Sequence, residues 1–219
     1  MSYYPSFQTE YTHEELVEHF WLHSEEIEFV ESFRSQVNKQ TVAVLLKSLE
    51  YLGGFPESLE QIPEQVRIFI ANQFNLLWDY TPNYLWESST KAKHLSQIRE
   101  FAGWRFPIYA DKAALESWLR NSAMKEVGSE EELFEAAIKR LKNLKIELPS
   151  EKELQKLTTT AWNGFFQNIY HQIEEQLTVE QKQQLDELLV VAEQESFSNF
   201  DKLKSVASKP GVDNLVKEA

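Results

Sequence analysis

Residues 38–56 read NKQTVAVLLKSLEYLGGFP, and they carry the clearest structural pattern in the chain. Apolar residues recur in this stretch every three or four positions, the spacing that places them on one face of an α-helix. They are Val42, Leu45, Leu46, Leu49 and Leu52. The pair Gly53-Gly54 is typical of a helix end, because glycine adopts the left-handed conformation without strain. The stretch predicts an amphipathic helix that ends at Gly53.

The same spacing continues on both sides of this helix. The 219 residues include six glycines and seven prolines, which fall between long segments of helical periodicity. Thr12 and Glu15 form a capping-box pattern, and Ser24, Ser129 and Thr178 read as further helix starts. Helices are predicted after Thr12, at 24–36, at 38–52, from Pro63 onward, and at 90–102, 110–124, 129–145, 150–176 and 178–191. The sequence therefore predicts an all-α fold.

Three segments are predicted along the chain. Beyond residue 75 the sequence becomes aromatic and loop-like, with Trp78, Tyr80, Tyr84 and Trp86 before a Ser-Ser-Thr cluster. We place a boundary there, which gives a first helical module at 1–75 and a second at 76–148. Residues 149–219 form a longer helical connector whose polar end is expected to be weakly ordered.

Composition excludes several classes of function. The chain has no cysteine, so it has no disulfide framework, thiolate metal site or cysteine nucleophile. Its start shows no signal-peptide pattern, and no run of eighteen apolar residues could span a bilayer. We expect a soluble, intracellular protein. The formal net charge of -13 argues, at first sight, against nucleic acid.

The charge is not spread evenly. Residues 1–75 hold 4 basic and 12 acidic side chains, 76–148 hold 11 of each, and 149–219 hold 7 and 12. In the middle segment, two clusters of basic residues could face phosphates. The first is Lys91, Lys93, His94, Arg99 and Arg105, and the second is Lys139, Arg140, Lys142 and Lys145. Basic residues at a helix C-terminus also complement the helix dipole, so a structural role stays open.

Patterns for catalysis and metal binding are weak. His19 and His23 are four residues apart on a predicted helix and could share a metal with Glu15 or Glu26, although such a pair is far more often incidental. His171 and Glu174 form one short pair, whereas a di-iron bundle needs a doubled set. No glycine-rich phosphate loop or serine elbow is present. No cofactor is expected.

Several blocks, in order, are similar to one family. They are 38–56 with Ile62-Pro63 and the apolar helix that follows, Lys93-His94-Leu95 with Ile98-Arg99 and the turn Gly103-Trp104-Arg105, the tryptophan-bearing 115–119, the basic helix 138–149, and 200–215. Together they resemble the N-terminal region of the large replicative transposases of the Tn-three family. The resemblance covers nearly the whole chain, and the order and spacing of the blocks are more specific than any one block.

The resemblance implies tandem modules of helix-turn-helix type that recognise the terminal inverted repeats of a transposon as double-stranded DNA. The family's ribonuclease-H-like catalytic domain lies several hundred residues further on, so the resemblance implies a fragment or truncated copy that binds DNA without cutting it. It also implies a bacterial, cytoplasmic and nucleoid-associated protein, with self-association through the remainder of the transposase.

Roles for individual residues follow from the resemblance. Helix 129–145 is the third of its group, the position of a recognition helix, so its four basic residues are expected to contact DNA. Lys91, Lys93, His94, Arg99 and Arg105 are expected to bind the DNA backbone. The acidic first module leaves Lys39, Lys47 and Arg67 as candidates, with Gln40, Gln65, Asn72 and Gln73 for base edges.

A second hypothesis is a helical protein-interaction module without DNA binding. It rests on the aromatic residues at 78–86, because a loop dense in aromatics either folds onto its own core or forms a binding surface. An enzyme is the third and weakest reading of this sequence.

Overall fold

The computed structural model describes residues 4–74, 89–191, 198 and 200, and it confirms the all-α fold. The α-helices of these residues are α1 (His13–Phe20), α2 (Ser24–Glu31), α3 (Gln36–Leu52), α4 (Glu64–Asn72), α5 (Ser89–Ala102), α6 (Tyr109–Asn121), α7 (Glu130–Asn143), α8 (Glu151–Gln176) and α9 (Val179–Leu189). Short 3-10 turns lie at Leu59–Gln61 and Ala123–Lys125. Helix-turn-helix geometry stays a prediction.

Helix caps account for most of the boundaries. Thr12 and Glu15 form the predicted capping box of α1, in which each side chain bonds the other residue's backbone N–H. Ser129 and Thr178 are the N-caps of α7 and α9, as predicted, and each side chain accepts a hydrogen bond from a backbone N–H in the first turn. Gly53 ends α3 with φ at +80°, where a side chain would be strained and its Cβ would lie 3.0 Å from Leu148.

The predicted extent of the second helix, 24–36, is wrong. Helix α2 ends at Glu31. Ser35 has an extended backbone, and its hydroxyl accepts a hydrogen bond from the Asn38 N–H at the start of α3. Serine competes with the helix for backbone hydrogen bonds, so a cap at this position separates two helices. At α4 the difference is smaller, because Pro63 is the N-cap and the helix begins at Glu64.

Helix α3 is the centre of the hydrophobic core. Every residue from Gln40 to Leu49 is buried. Phe20, Val30 and Ile70, from α1, α2 and α4, belong to the core around it. Ile98 of α5 and Trp104 just after α5 join the same cluster. The apolar face that the sequence predicts for 38–52 therefore organises the helices on both sides of it.

The later helices are linked by packing and by polar contacts. Leu115 and Leu119 of α6 and Leu133 and Leu141 of α7 are buried where α6 and α7 meet. Glu130 at the start of α7 accepts a hydrogen bond from the Thr159 hydroxyl of α8. These contacts link α7 to α6 and to α8.

The chain divides into two compact units, Met1–Phe165 and Phe166–Ala219. In the described part of the second unit, the end of α8 and all of α9 lie largely exposed. None of the described helices is both long and apolar enough to cross a membrane. The functional division at 1–75, 76–148 and 149–219 stays a prediction.

Candidate nucleic-acid interface

The segments that follow α5 and α7 pair with each other. The Arg105 N–H donates to the Lys145 carbonyl at 3.0 Å, and the Glu147 N–H donates to the Arg105 carbonyl at 2.9 Å. The Leu148 N–H then donates to the Gly53 carbonyl at 2.8 Å. The C-terminal ends of α3, α5 and α7 therefore meet. We call residues 99–112 and 139–147 the basic junction.

The basic junction has an excess of positive charge in an acidic chain. It contains seven lysine and arginine side chains and three carboxylates, whereas the whole chain has 22 and 35. The unsatisfied carbonyls at a helix C-terminus carry partial negative charge and attract cations. Three helix ends that meet in one place explain why basic residues collect here.

Two predicted lysines bond directly to these helix ends. Lys142 Nζ donates to the Tyr51 carbonyl of α3 at 2.7 Å, and Lys145 Nζ donates to the Ala102 carbonyl of α5 at 2.7 Å. Burial lowers the pKa of Lys142 below its usual value. Lys145 lies in the left-handed region with φ at 51°. Both lysines therefore hold the junction together, and Lys145 remains exposed as well.

The two predicted arginines of the first segment, 99–112, are ion-paired. Arg99 Nε lies 2.6 Å from a Glu147 oxygen. The Arg105 guanidinium forms a bidentate salt bridge with the Asp111 carboxylate, with nitrogen–oxygen distances of 2.5 and 2.7 Å. Those hydrogen bonds, together with one from the Ile108 N–H, lower the pKa of Asp111 to about 2. Arg105 is exposed, so its guanidinium can still face solvent.

The remaining predicted residues of α7 lie on its accessible side. Lys139 is exposed and lines a shallow cleft of about 320 Å³ with Glu135, Ile138 and Lys142. The Arg140 guanidinium lies over the Trp118 ring, 4.5 Å from its centroid. Lys139 and Arg140 therefore lie in the junction but outside its hydrogen-bonded centre.

The N-terminal part of α5 places its candidates differently. Lys93 is exposed and Lys91 is half-buried. His94 is buried with its ring edge against Phe33, at 5.1 Å between centroids. Burial, with a smaller contribution from Lys93, lowers the pKa of His94 and favours its neutral form. The imidazole of His94 therefore packs in the core.

The candidates of the first helices differ in their exposure to solvent. Lys47 is 4% exposed, with Nζ 2.6 Å from Glu26 and 2.9 Å from Glu50. Desolvation raises the pKa of Glu50, and Lys47 partly offsets that shift. Lys39 pairs with Glu31, and Arg67 is half-buried.

The polar side chains predicted for base edges are mostly occupied within the fold. Gln65 Oε1 accepts from the Tyr11 N–H, and Gln73 bonds both the Leu22 N–H and the Phe20 carbonyl. Gln40 is buried, whereas Asn72 is exposed. Gln65 therefore fixes the segment before α1, and Gln73 fixes the loop between α1 and α2.

A larger cleft of about 620 Å³ lies on the acidic first helices. His19, His23 and Glu26 line it with Lys47 and Tyr51. The described residues contain no group of three histidine, aspartate or glutamate side chains that could hold a metal ion. His19 packs against Tyr51, with 5.1 Å between ring centroids.

Sequence reasoning missed the apolar residues at the basic junction. Phe106, Ile108 and Tyr109 are exposed in the sequence RFPIY, which runs from the loop after α5 to the first residue of α6. Their signal was three large apolar residues around a proline, beside a basic cluster. The aromatic residues Trp78, Tyr80, Tyr84 and Trp86, on which the protein-interaction hypothesis rests, lie outside the described residues.

Comparisons with known proteins give two findings. Residues 1–161 match a family described as Domain of unknown function (DUF4158). The chain is also similar to the Transposase for transposon gamma-delta of Escherichia coli (strain K12), with 24% identity over 192 residues. That alignment covers 87% of this chain and 19% of the transposase, so the chain spans about a fifth of that relative's length. The similarity confirms the resemblance to Tn-three family transposases.

Proposed function

Because the chain belongs to the DUF4158 family, and because it is similar to a transposase, we propose that it binds the terminal inverted repeats of a transposon. Its partner is double-stranded DNA, which it recognises without cutting, as the end-recognition region of a bacterial transposase. It acts in the cytoplasm, on the nucleoid, and self-association takes place through other parts of the transposase.

The observation that supports this proposal is the basic junction. Seven cations and three carboxylates lie on two segments that hydrogen bonds hold side by side, within a chain of net charge -13. Neutralising phosphates releases the counterions of DNA, so a local positive region supplies affinity even when the rest of the protein is acidic. The acidic helices α1 and α2 repel the duplex and so orient it toward the junction.

The exposed cations have different roles from the bonded ones. We assign phosphate contacts to Lys93, Lys139, Arg105 and Lys145, which are exposed, and to Arg140 at the edge of the junction. Lys142 and Arg99 position these groups through Tyr51 and Glu147. Lys91 adds to the charge of α5. The other candidates stabilise the fold or lie outside the proposed DNA surface. They are Lys39, Lys47, Arg67 and His94.

Selection from a random duplex library tests the proposal. The full chain is incubated with the library, bound duplexes are amplified, and fluorescence anisotropy compares the selected duplex with its scrambled form at low and moderate salt. We expect tighter binding to the selected duplex, and a match between it and the ends of the transposon that carries the gene. Equal binding to both duplexes, or none at low salt, would contradict the proposal.

A matched pair of variants locates the surface. Lys93→Ala with Lys139→Ala removes two exposed lysines of α5 and α7, and Lys152→Ala with Lys156→Ala removes two exposed lysines of α8. Each change should leave helicity unchanged. We expect the first pair to weaken binding on the order of tenfold, and the second pair to weaken it less than the first. The reverse order would place the duplex on α8.

A further inference from the structure

The loop that follows α5, together with Tyr109 at the start of α6, exposes three large apolar residues within the basic junction. Phe106 and Ile108 are each 59% exposed and Tyr109 is 87% exposed. Leu144, directly before Lys145, is also exposed. Single exposed apolar residues are common, but several within a few residues of one another mark a binding surface.

Hydrogen bonds and one cation–π contact hold this loop in place. Asp111 accepts hydrogen bonds from the Arg105 guanidinium and from the Ile108 N–H. The Phe106 ring rests on the Arg99 guanidinium, at 3.7 Å, and the Arg105 backbone is paired with 145 and 147. The exposure of these side chains is therefore built in. A preset loop loses little conformational entropy when it binds.

The charges around the loop select the kind of partner. A surface that combines cations with apolar side chains fits a ligand with anionic edges and an apolar interior, and duplex DNA has both. Proteins that insert Phe or Ile between base pairs partly unstack one step and kink the duplex. The exposed apolar residues of residues 166–191 differ, because five carboxylates and one lysine accompany them.

We propose that loop 105–109 is a DNA wedge, in which Phe106, Ile108 and Tyr109 insert at one base step of the duplex bound by the basic junction. The proposal rests on the proposed function, and it adds a direct contact with bases. Arg105, at the start of the loop, and Lys145, which pairs with it through the backbone, bind phosphates beside that step. The wedge makes the fit depend on how easily the local sequence unstacks, so it contributes specificity beyond phosphate contacts.

The experiment places 2-aminopurine, which brightens when it is unstacked, at successive positions of the selected duplex. The full chain is compared with Phe106→Ala, Tyr109→Ala and the control Tyr170→Ala, an exposed tyrosine of α8. We expect brightening at one step with the unaltered protein and with the control. We expect it to disappear in both loop variants, with affinity lower on the order of tenfold for each.

The outcomes separate this inference from the proposed function. Specific binding by the unaltered protein without brightening at any step would overturn the wedge and leave DNA recognition standing. Brightening that persists in both loop variants would overturn it as well, because other residues would then unstack the base step. No preference for any selected duplex would end both proposals. Because Phe106 packs on Arg99, Tyr109→Ala decides the matter if Phe106→Ala does not fold.

Discussion

The ammonium group of Lys47 lies inside the protein, between carboxylate oxygens of Glu26 and Glu50. In the sequence, this lysine is one of four basic residues of an acidic segment and looks like a DNA contact. Its position on the face of α3 that points toward α2 gives it two partners and removes it from solvent. A buried charge is tolerated only when it is paired, so this lysine is tied to its carboxylates.

Lys47→Ala is expected to lower the free energy of unfolding by about 3–5 kcal/mol, because it leaves Glu26 buried without its cation. Replacing both partners with methionine, in Glu26→Met with Lys47→Met, should recover most of that loss. Lys39→Ala, which removes an ion pair with an exposed carboxylate, is the control and should cost at most about 1 kcal/mol. Urea unfolding measures all three, and equal losses for Lys47→Ala and Lys39→Ala would contradict the burial of this pair.

His94 carries a prediction about pH. Its folded-state pKa is lowered by burial and by Lys93, so the native state favours the neutral ring. The stabilisation is therefore present above the pKa of the unfolded chain, about 6.5, and is lost as the pH falls through the folded-state value. We expect the free energy of unfolding to decrease below about pH 6.5, and His94→Phe should remove this part of the decrease. An identical pH profile for the variant would show that other groups cause it.

At the scale of elements, Lys145 combines a strained backbone with a side chain that caps the end of α5. A non-glycine residue at positive φ costs roughly 1–2 kcal/mol, and here the hydrogen bond from Nζ to Ala102 offsets part of that cost. Lys145→Gly should relieve the strain and lose the bond, so stability changes by less than about 1 kcal/mol. Lys145→Ala keeps the strain and loses the bond.

We therefore expect Lys145→Ala to be less stable than Lys145→Gly, and both to bind the selected duplex more weakly than the unaltered chain. Thermal unfolding and anisotropy titrations measure the two effects separately. If Lys145→Gly binds DNA as well as the unaltered protein, this lysine has a structural role alone.

The elements themselves were largely predictable because their signals are local. Thr12, Gly53, Ser129 and Thr178 each mark a helix boundary by their own chemistry. The end of α2 was missed because the apolar spacing continues through Val30 and Phe33 while the cap at Ser35 interrupts the backbone. Hydrophobic spacing reports burial, and it does not report where a serine takes over a hydrogen bond.

The candidate site was less predictable because its contacts join distant parts of the chain. The sequence placed Arg105 and Lys145 in two clusters, and the hypothesis that both clusters face DNA is still a prediction. The backbone pairing of 105 with 145 and 147, and the bond from Lys142 to Tyr51, have no local signal. The burial of Lys47 and His94 likewise depends on residues that are distant in sequence and close in the fold.

At the scale of the whole molecule, the segregation of charge predicts steep salt dependence. If the cations that we assign to phosphate contacts neutralise about five phosphates, the affinity should fall roughly as the fourth to fifth power of salt concentration. Anisotropy titrations at several salt concentrations give the slope directly. Lys139→Ala should reduce the slope by about one. A slope near zero would mean that the acidic chain holds its ligand without phosphate contacts.

The hydrogen bond from the Leu148 N–H to the Gly53 carbonyl has a consequence for synthesis on the ribosome. Helix α3 is complete early in translation, but the carbonyls of Tyr51 and Gly53 at its end gain these partners only after Lys142 of α7 and Leu148, which follows α7, have been made. Contacts between such distant residues form late, since closing a long loop costs entropy before it gains a bond. A nascent chain that has emerged only as far as α6 therefore has its α3 helix but lacks the second half of the basic junction. If the junction is the DNA surface that we propose, we expect the nascent chain to bind DNA only after residues 139–148 have left the ribosome tunnel.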